Sequence, residues 1–270
     1  MNEQADAVDV VNAAVNTASV SGRGSFQPSL RRTLTSLLQA DFIVLLQNRR
    51  SLIIGMVLPL FILLTTKRAA VSGDAMLLAT SITFGLASFA ILGYSISTAR
   101  DREKGVFQRL RVTPAPSWTI MASRISVQVG ACLTMAAVIL VAASQVNRII
   151  LSPAGYALTM AVTIIGAAMF LSIGQALVGL IKSAETVNAL GRFVFIGLII
   201  FGLVGESGKL GASMQTAATW SPYGTINILL SGAMSTSWSG TTSLAALVSA
   251  GYIIVFAGIG IKWFRWDANP

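Results

Sequence analysis

The densest set of polar side chains in this sequence lies in one short stretch, residues 101–114, with the sequence DREKGVFQRLRVTP. Its carboxylates and guanidiniums are suited to charge-assisted hydrogen bonds, which hold two surfaces together. Four residues share one face at i, i+3, i+4, i+7 spacing: Glu103, Val106, Phe107 and Leu110. Thr113-Pro114 ends the helix, because proline disfavours helical geometry in the residue before it. The stretch predicts a short surface helix that receives force from a soluble partner. The alternative is an ordinary charged loop that only sets topology.

Catalytic chemistry finds little support elsewhere in the sequence. The chain has no histidine, which excludes Ser-His-Asp and Cys-His arrangements. Gly202, Gly205, Gly208 and Lys209 look superficially like a phosphate loop, but its pattern requires Ser or Thr where Leu210 stands. We therefore expect no catalytic residue and no nucleotide bound to this chain.

Metal and proton chemistry are not favoured either. Cys132 is the single cysteine and lies in an apolar run, so we expect ordinary packing and no zinc. No carboxylate lies in the middle of an apolar run, which counts against a proton-coupled carrier.

The composition indicates an integral membrane protein. Hydrophobic residues make up 54% of the 270 residues and charged residues only 11%, whereas soluble domains carry about 25% charged residues. The net charge of +9 sits at the ends of apolar runs and not in one soluble patch. We therefore expect contact with lipid headgroups and none with nucleic acid.

The apolar runs predict an all-α membrane protein with six transmembrane helices. A span needs about 20 mostly apolar residues. The predicted spans are residues 51–66, 75–98, 125–146, 155–181, 186–204 and 244–261. Placing both termini in the cytoplasm puts most Lys and Arg residues inside, as the positive-inside rule requires, with Lys67-Arg68 as the main exception.

Two further segments flank these spans. Residues 1–28 predict a disordered cytoplasmic tail, and residues 29–47 predict an amphipathic helix in the membrane interface. The leucines proposed for its apolar face include Leu34, Leu37, Leu38 and Leu45. The alternative for this helix is a soluble helix packed on a partner.

A third unusual segment lies before the last span. Residues 206–243 carry almost no charge, yet Gly, Ser, Thr and Pro interrupt the apolar pattern around Trp220, Pro222 and Tyr223. A solvated loop normally carries charges, so this segment predicts short re-entrant helices sheltered by protein.

The 101–114 stretch resembles the signature of ABC-2 type transporter permeases. In that pattern an acidic-basic-Glu-basic-Gly run leads to Arg-Leu and then to Thr-Pro. The matching residues are Asp101, Arg102, Glu103, Lys104, Gly105, Arg109, Leu110, Thr113 and Pro114. The chain departs from the pattern at Val106 and Gln108, where small hydroxyl and acidic residues are common. The resemblance covers residues 29–270, taken as one transmembrane domain.

This resemblance implies a half-transporter that is itself no enzyme. Two copies, or this chain and a paralogue, would form the pathway in the cytoplasmic membrane, each docked on a separate ATPase subunit that holds ATP and magnesium. The 101–114 stretch would be the coupling helix. Glu103 and Arg109 would make polar docking contacts, Gly105 would allow close approach, and Val106, Phe107 and Leu110 would fill an apolar groove of the ATPase.

The expected cargo is hydrophobic or amphipathic, either drug-like or lipid-like. The implied roles are therefore efflux and multidrug resistance. The expected assembly of the permease is a homodimer. Three alternatives stay open: export of lipid-linked polysaccharide, a membrane scaffold without transport, and an ATP-independent carrier.

Overall fold

In the computed structural model, residues 30–47, 49–65, 74–111, 117–206 and 211–264 are described, and no strand occurs within them. The helices, in chain order, are α1 (Leu30–Gln47), α2 (Arg49–Thr65), α3 (Asp74–Ala87), the π-helical segment π1 (Ser88–Tyr94), α4 (Ser95–Glu103), α5 (Val106–Arg111), α6 (Ser117–Ala142), a second π-helical segment π2 (Ala143–Asn147), α7 (Pro153–Leu180), α8 (Ala184–Glu206), α9 (Ala212–Thr219), α10 (Pro222–Met234) and α11 (Gly240–Trp263).

Five helical stretches are long and apolar enough to cross a membrane. They are Ala75–Glu103, Trp118–Val146, Pro153–Leu180, Ala184–Gly205 and Gly240–Trp263. An all-helical, multi-pass membrane protein is therefore confirmed. The predicted span 51–66 corresponds to α2, whose apolar part covers only Gly55–Thr65 and falls short of this length. The count of six spans thus stays a prediction, and the predicted tail 1–28 lies outside the described residues.

Helix α7 forms the centre of the bundle, packed against α11, α10, α6 and the α3–π1–α4 helix. Glycines let neighbouring backbones approach it closely, as is common where helices meet inside membranes. A Cβ atom on Gly174 would lie 2.8 Å from the carbonyl oxygen of Ala90 in π1. A Cβ atom on Gly179 would lie 3.2 Å from the carbonyl oxygen of Gly260 in α11.

The π1 segment interrupts the Ala75–Glu103 span at a point where polar side chains meet. The Nε2 of Gln128 in α6 donates to the carbonyl oxygen of Phe89 at 3.0 Å. The hydroxyl of Tyr94 donates to Oε1 of Gln175 in α7 at 2.6 Å. The wider π turn is thus tied to two neighbouring spans, and π-bulges are frequent at functional positions.

The segment predicted to be re-entrant is a pair of short helices, α9 and α10, with a sharp break between them. Ser221 caps α10 by accepting from the backbone N–H of Gly224 at 3.2 Å, and Pro222 occupies the first helical turn. The ring of Tyr223 is fully buried and packs closely on Gly202 of α8. The hydroxyl of Tyr252 in α11 donates to the carbonyl oxygen of Trp220 at 3.0 Å. These contacts anchor the break to two long helices.

Candidate functional site

One end of the bundle, which we call the basic end, gathers most of the charged residues. It is formed where α4, α7 and α11 end and where α6 and α8 begin. Among the Lys and Arg residues whose side chains are described, only Arg148 lies at the opposite end. At the basic end, three consecutive residues of α4 each contact a different helix.

Arg102 fastens α4 to the end of α7. Its side chain is only 3% exposed. Its Nη1 donates to the carbonyl oxygen of Val178 at 2.6 Å, and its Nη2 donates to those of Ile181 and Lys182 at 2.7 Å. The last carbonyls of a helix have no partner within the helix and carry partial negative charge, so a guanidinium is well matched to them.

Glu103 fastens α4 to the start of α8. Its Oε1 accepts a hydrogen bond from the backbone N–H of Ala184 at 2.5 Å. The first N–H groups of a helix lack intrahelical acceptors and favour a negative charge. Ser183 accepts from the N–H of Thr186 at 3.1 Å and satisfies a second group of the same turn. Glu103 and Arg102 therefore bracket the turn between α7 and α8.

Asp101 fastens α4 to α6 and, through α6, to α1. Its Oδ2 pairs with Nη2 of Arg124 at 2.6 Å. Nε of Arg124 lies 3.9 Å from Oδ1 of Asp41, and the hydroxyl of Ser123 donates to Oδ2 of Asp41 at 2.6 Å. Asp101, Arg102 and Glu103 together form what we call the α4 clamp, which joins α6, α7 and α8 at one point.

The two carboxylates beside Arg124 should respond differently to neutralisation. Burial raises the pKa of Asp41, and the Ser123 hydroxyl and the Arg124 charge only partly oppose this effect. Because the fold disfavours the charged form of Asp41, Asp41→Asn should change the free energy of unfolding by less than about 0.5 kcal/mol. Asp101→Asn keeps an oxygen acceptor but loses the negative charge that faces Arg124 at 2.6 Å, and it should cost about 1–2 kcal/mol.

Thermal unfolding of both purified variants in the same detergent measures this difference. Equal midpoints for Asp41→Asn and Asp101→Asn would show that the Asp101–Arg124 pair does not hold α4 to α6.

Beyond the clamp, the chain turns at Lys104 and Gly105 into α5. Gly105 has a φ of 68°, in the left-handed region that glycine adopts without strain. The ring of Phe107 is fully buried. It packs edge-to-face on Phe264 with ring centroids 5.6 Å apart, and the Arg124 guanidinium lies 4.9 Å above it. Phe107 therefore anchors α5 to the bundle.

This arrangement divides the predicted docking residues into two groups. Arg102 and Phe107 face inward. The Phe107 ring packs within this chain, whereas the family resemblance implied that it fills a groove of the ATPase. Of the other predicted residues, Glu103, Lys104 and Arg109 are exposed, and Asp101, Gly105, Val106 and Leu110 are half-buried. Gln108, which was not among the predicted docking residues, is also exposed. The outer surface of the turn and α5 thus remains available to a partner. The predicted Thr113 and Pro114 lie outside the described residues.

Helix α1 lies beside α6. Its predicted leucines are half-buried and share one face with Asp41: Leu34, Leu37, Leu38 and Leu45. Since Asp41 bonds to Ser123 of α6, this face is turned toward the bundle. A second set of apolar residues on α1 is exposed: Phe42, Ile43, Val44 and Leu46. The sequence pattern did not distinguish this set from the leucine face.

Some parts of this site carry no signal in the sequence. The acceptors of Arg102 are backbone carbonyls, and the donor to Glu103 is a backbone N–H. Asp41 and Arg124 were visible only as isolated charges near the ends of apolar runs. Within the described ranges, no group of three or more His, Cys, Asp or Glu side chains could hold a metal ion.

Comparison with known protein families identifies the family of this chain. The family model of the ABC-2 type transporter matches residues 26–235, well over half of the chain and including the α4 clamp and α5. No curated protein matches the sequence. Members of this family are transport subunits without catalytic activity of their own and normally work with an ABC ATPase. The chain belongs to the ABC-2 type transporter family and is the membrane component of an ABC transporter.

Proposed function

We propose that this chain is the permease of an ATP-driven exporter that moves hydrophobic or amphipathic molecules out across the cytoplasmic membrane. The observation that carries the proposal is the α4 clamp. A force applied to α5 passes into α4, and α4 is fastened through Asp101 to α6, through Arg102 to α7 and through Glu103 to α8. A movement of α5 is therefore transmitted to three spans at once.

The force would come from a separate ATPase subunit, with ATP and magnesium bound there. Its docking surface on this chain would be the exposed side of the turn and α5, where Lys104 and Arg109 offer charge and Leu110 offers an apolar contact. Arg102 and Phe107 would act indirectly, by keeping α4 and α5 rigid against the bundle. Two such ATPases closing on each other would bring two permeases together.

The basic end would face the cytoplasm. Positive charge accumulates on cytoplasmic ends of membrane proteins, and Arg148 is the single described exception here. This orientation puts both termini inside. It also puts the break between α9 and α10 in the outer half of the membrane, where the surrounding helices shelter its irregular backbone.

A second permease copy would pack beside α8. The outward side of this helix is apolar and exposed, with Phe193 and Ile200 at 75% and 56% of full exposure. Such a surface suits either lipid or another membrane helix, and a homodimer is the simplest assembly that places two α5 helices side by side.

ATP-dependent transport in vesicles tests this function. The chain, purified with its bound ATPase, would be reconstituted in liposomes with fluorescent lipids and dyes. We expect ATP to drive movement of an amphipathic probe away from the leaflet or compartment on the ATPase side. A preparation that holds an active ATPase but moves no probe would favour a membrane scaffold. Movement that is independent of ATP would favour a carrier.

A further inference from the structure

A groove of about 770 Å³ opens at the basic end between α1, α4 and α8. Its lining includes three cations, Arg100, Lys104 and Arg192, and apolar side chains such as Ile96, Phe195 and Ile196. The groove therefore offers both cations and apolar side chains, the two kinds of contact that an amphipathic molecule requires.

The groove has an excess of positive charge. Among the described residues, both ion pairs belong to Arg124, and none involves Arg100, Lys104 or Arg192. Asp101 is the one carboxylate in the lining, and Arg124 offsets its charge at 2.6 Å. An anionic group entering the groove would meet three uncompensated cations.

The position of Arg192 is the more informative part of this arrangement. It lies in the candidate span Ala184–Gly205, about 12 Å along α8 from Ala184 at a rise of about 1.5 Å per residue. A cation within a span is costly, so such residues generally face a water-filled cavity or a bound ligand. Arg192 is exposed and lines this groove, so its charge is available to a ligand there.

The opposite end of the Ala75–Glu103 helix, which contains α4, offers a different environment. A groove of about 600 Å³ there is lined by Asn227 and by hydroxyls such as Ser231 and Thr241, and its described lining holds no charged side chain. A ligand with a negative headgroup would find cations at the basic end and only neutral dipoles at the other end.

We propose that the groove between α4 and α8 binds a lipid with a phosphate-bearing anionic headgroup. The headgroup pairs with Arg100, Lys104 and Arg192, since guanidiniums form strong paired hydrogen bonds to phosphate. The acyl chains lie against Ile96, Phe195 and Ile196. That this lipid is the cargo rests on the proposed export function. Binding of the lipid does not rest on it.

Binding can be measured on the full chain purified in neutral detergent without an ATPase. The probes are fluorescent phosphatidylglycerol and phosphatidylcholine with identical acyl chains. We expect phosphatidylglycerol to bind at least about tenfold more tightly, and the double variant Arg100→Gln/Arg192→Gln to remove most of that preference. Lys182→Gln, which removes an exposed cation outside the groove, should stay within about twofold of the wild type.

A variant that binds phosphatidylglycerol more tightly than the wild type shows that the changes in lipid binding are not caused by misfolding. Asn188 also lines the groove, so Asn188→Lys should tighten phosphatidylglycerol binding, and Asn188→Asp should weaken it. Equal affinity for the two lipids, or an unchanged preference in the double variant, would overturn the proposal. Full displacement of phosphatidylglycerol by millimolar inorganic phosphate would also overturn it, because the site would then bind the free anion.

These outcomes are distinct from failure of the export proposal. If lipid binding fails while an ATPase still associates and drives transport, only the groove assignment is lost. If lipid binds as expected but no ATPase associates, the groove stands and the export proposal is lost.

Discussion

Replacing Arg102 with methionine is expected to leave little correctly folded protein. Methionine keeps the apolar stem but removes the three hydrogen bonds that Arg102 donates to the carbonyls of Val178, Ile181 and Lys182. A hydrogen bond to a charged group contributes about 1.5–3 kcal/mol, and a buried carbonyl left without a donor costs about 1–3 kcal/mol. The combined loss should reach at least about 3 kcal/mol, a large part of the 5–15 kcal/mol that typically stabilises a protein.

The yield of monodisperse protein and its thermal unfolding midpoint in detergent measure this effect. Arg100→Met is the matched control, because Arg100 lies on the same helix but is exposed, and it should leave both quantities nearly unchanged. Arg102→Lys should be intermediate, since one ammonium cannot reproduce the fork of the guanidinium. If Arg102→Met and Arg100→Met unfolded at the same temperature, the clamp would not be the structural link that we describe.

Replacing Leu110 with aspartate is expected to abolish association with the ATPase while leaving the permease folded. Leu110 is half-buried on α5, beside the exposed Arg109. A carboxylate there would have to lose its hydration to enter an apolar contact, and an unpaired charge in such a contact costs several kcal/mol. Binding should therefore weaken by a factor of about 100 or more, since each 1.4 kcal/mol is tenfold.

The amount of ATPase that copurifies with the tagged permease measures this loss. Thr241→Asp adds the same charge in the first turn of α11 at the opposite end of the bundle, where a helix N-terminus favours it. We expect that variant to retain its ATPase. A Leu110→Asp permease that is monodisperse and still carries stoichiometric ATPase would exclude α5 as the docking element.

Several features of this fold follow directly from the sequence. Five helices have lengths and apolar compositions that indicate membrane spans. The break at Ser221-Pro222 follows from an N-cap serine and a proline in the first turn. The spacing of Glu103, Val106, Phe107 and Leu110 predicted one short helix, and this was wrong for Glu103. The chain turns at Lys104 and Gly105, where Gly105 has a φ of 68°, so Glu103 ends α4 and only the other three residues lie on α5.

The spacing could not show whether each face of that helix packs against this chain or against a partner protein. A pattern of apolar residues at i, i+3, i+4, i+7 defines a side of a helix, and it is the same whether the cover is a partner or the chain itself. Phe107 is covered by Phe264 and Arg124, which are distant in sequence. The docking role of the exposed residues stays a prediction.

The end of the second predicted span shows why charged residues can mislead. The sequence placed it at residue 98, because charges begin at Arg100 and charged side chains avoid the membrane. The helix continues to Glu103. It does so because Arg102 and Glu103 find backbone partners at the ends of α7 and α8, contacts that only the folded arrangement provides.

Cross-linking at Gln108 tests the central claim, that α5 is the contact between this permease and its ATPase, most directly. Gln108 is exposed on α5, and the single natural cysteine, Cys132, is buried. The purified complex of a Gln108→Cys variant would be treated with a short thiol-to-amine cross-linker, with Thr241→Cys at the opposite end as the control. We predict a covalent product of permease and ATPase from Gln108→Cys and none from Thr241→Cys. A complex that holds active ATPase yet forms no product through position 108 would contradict the account.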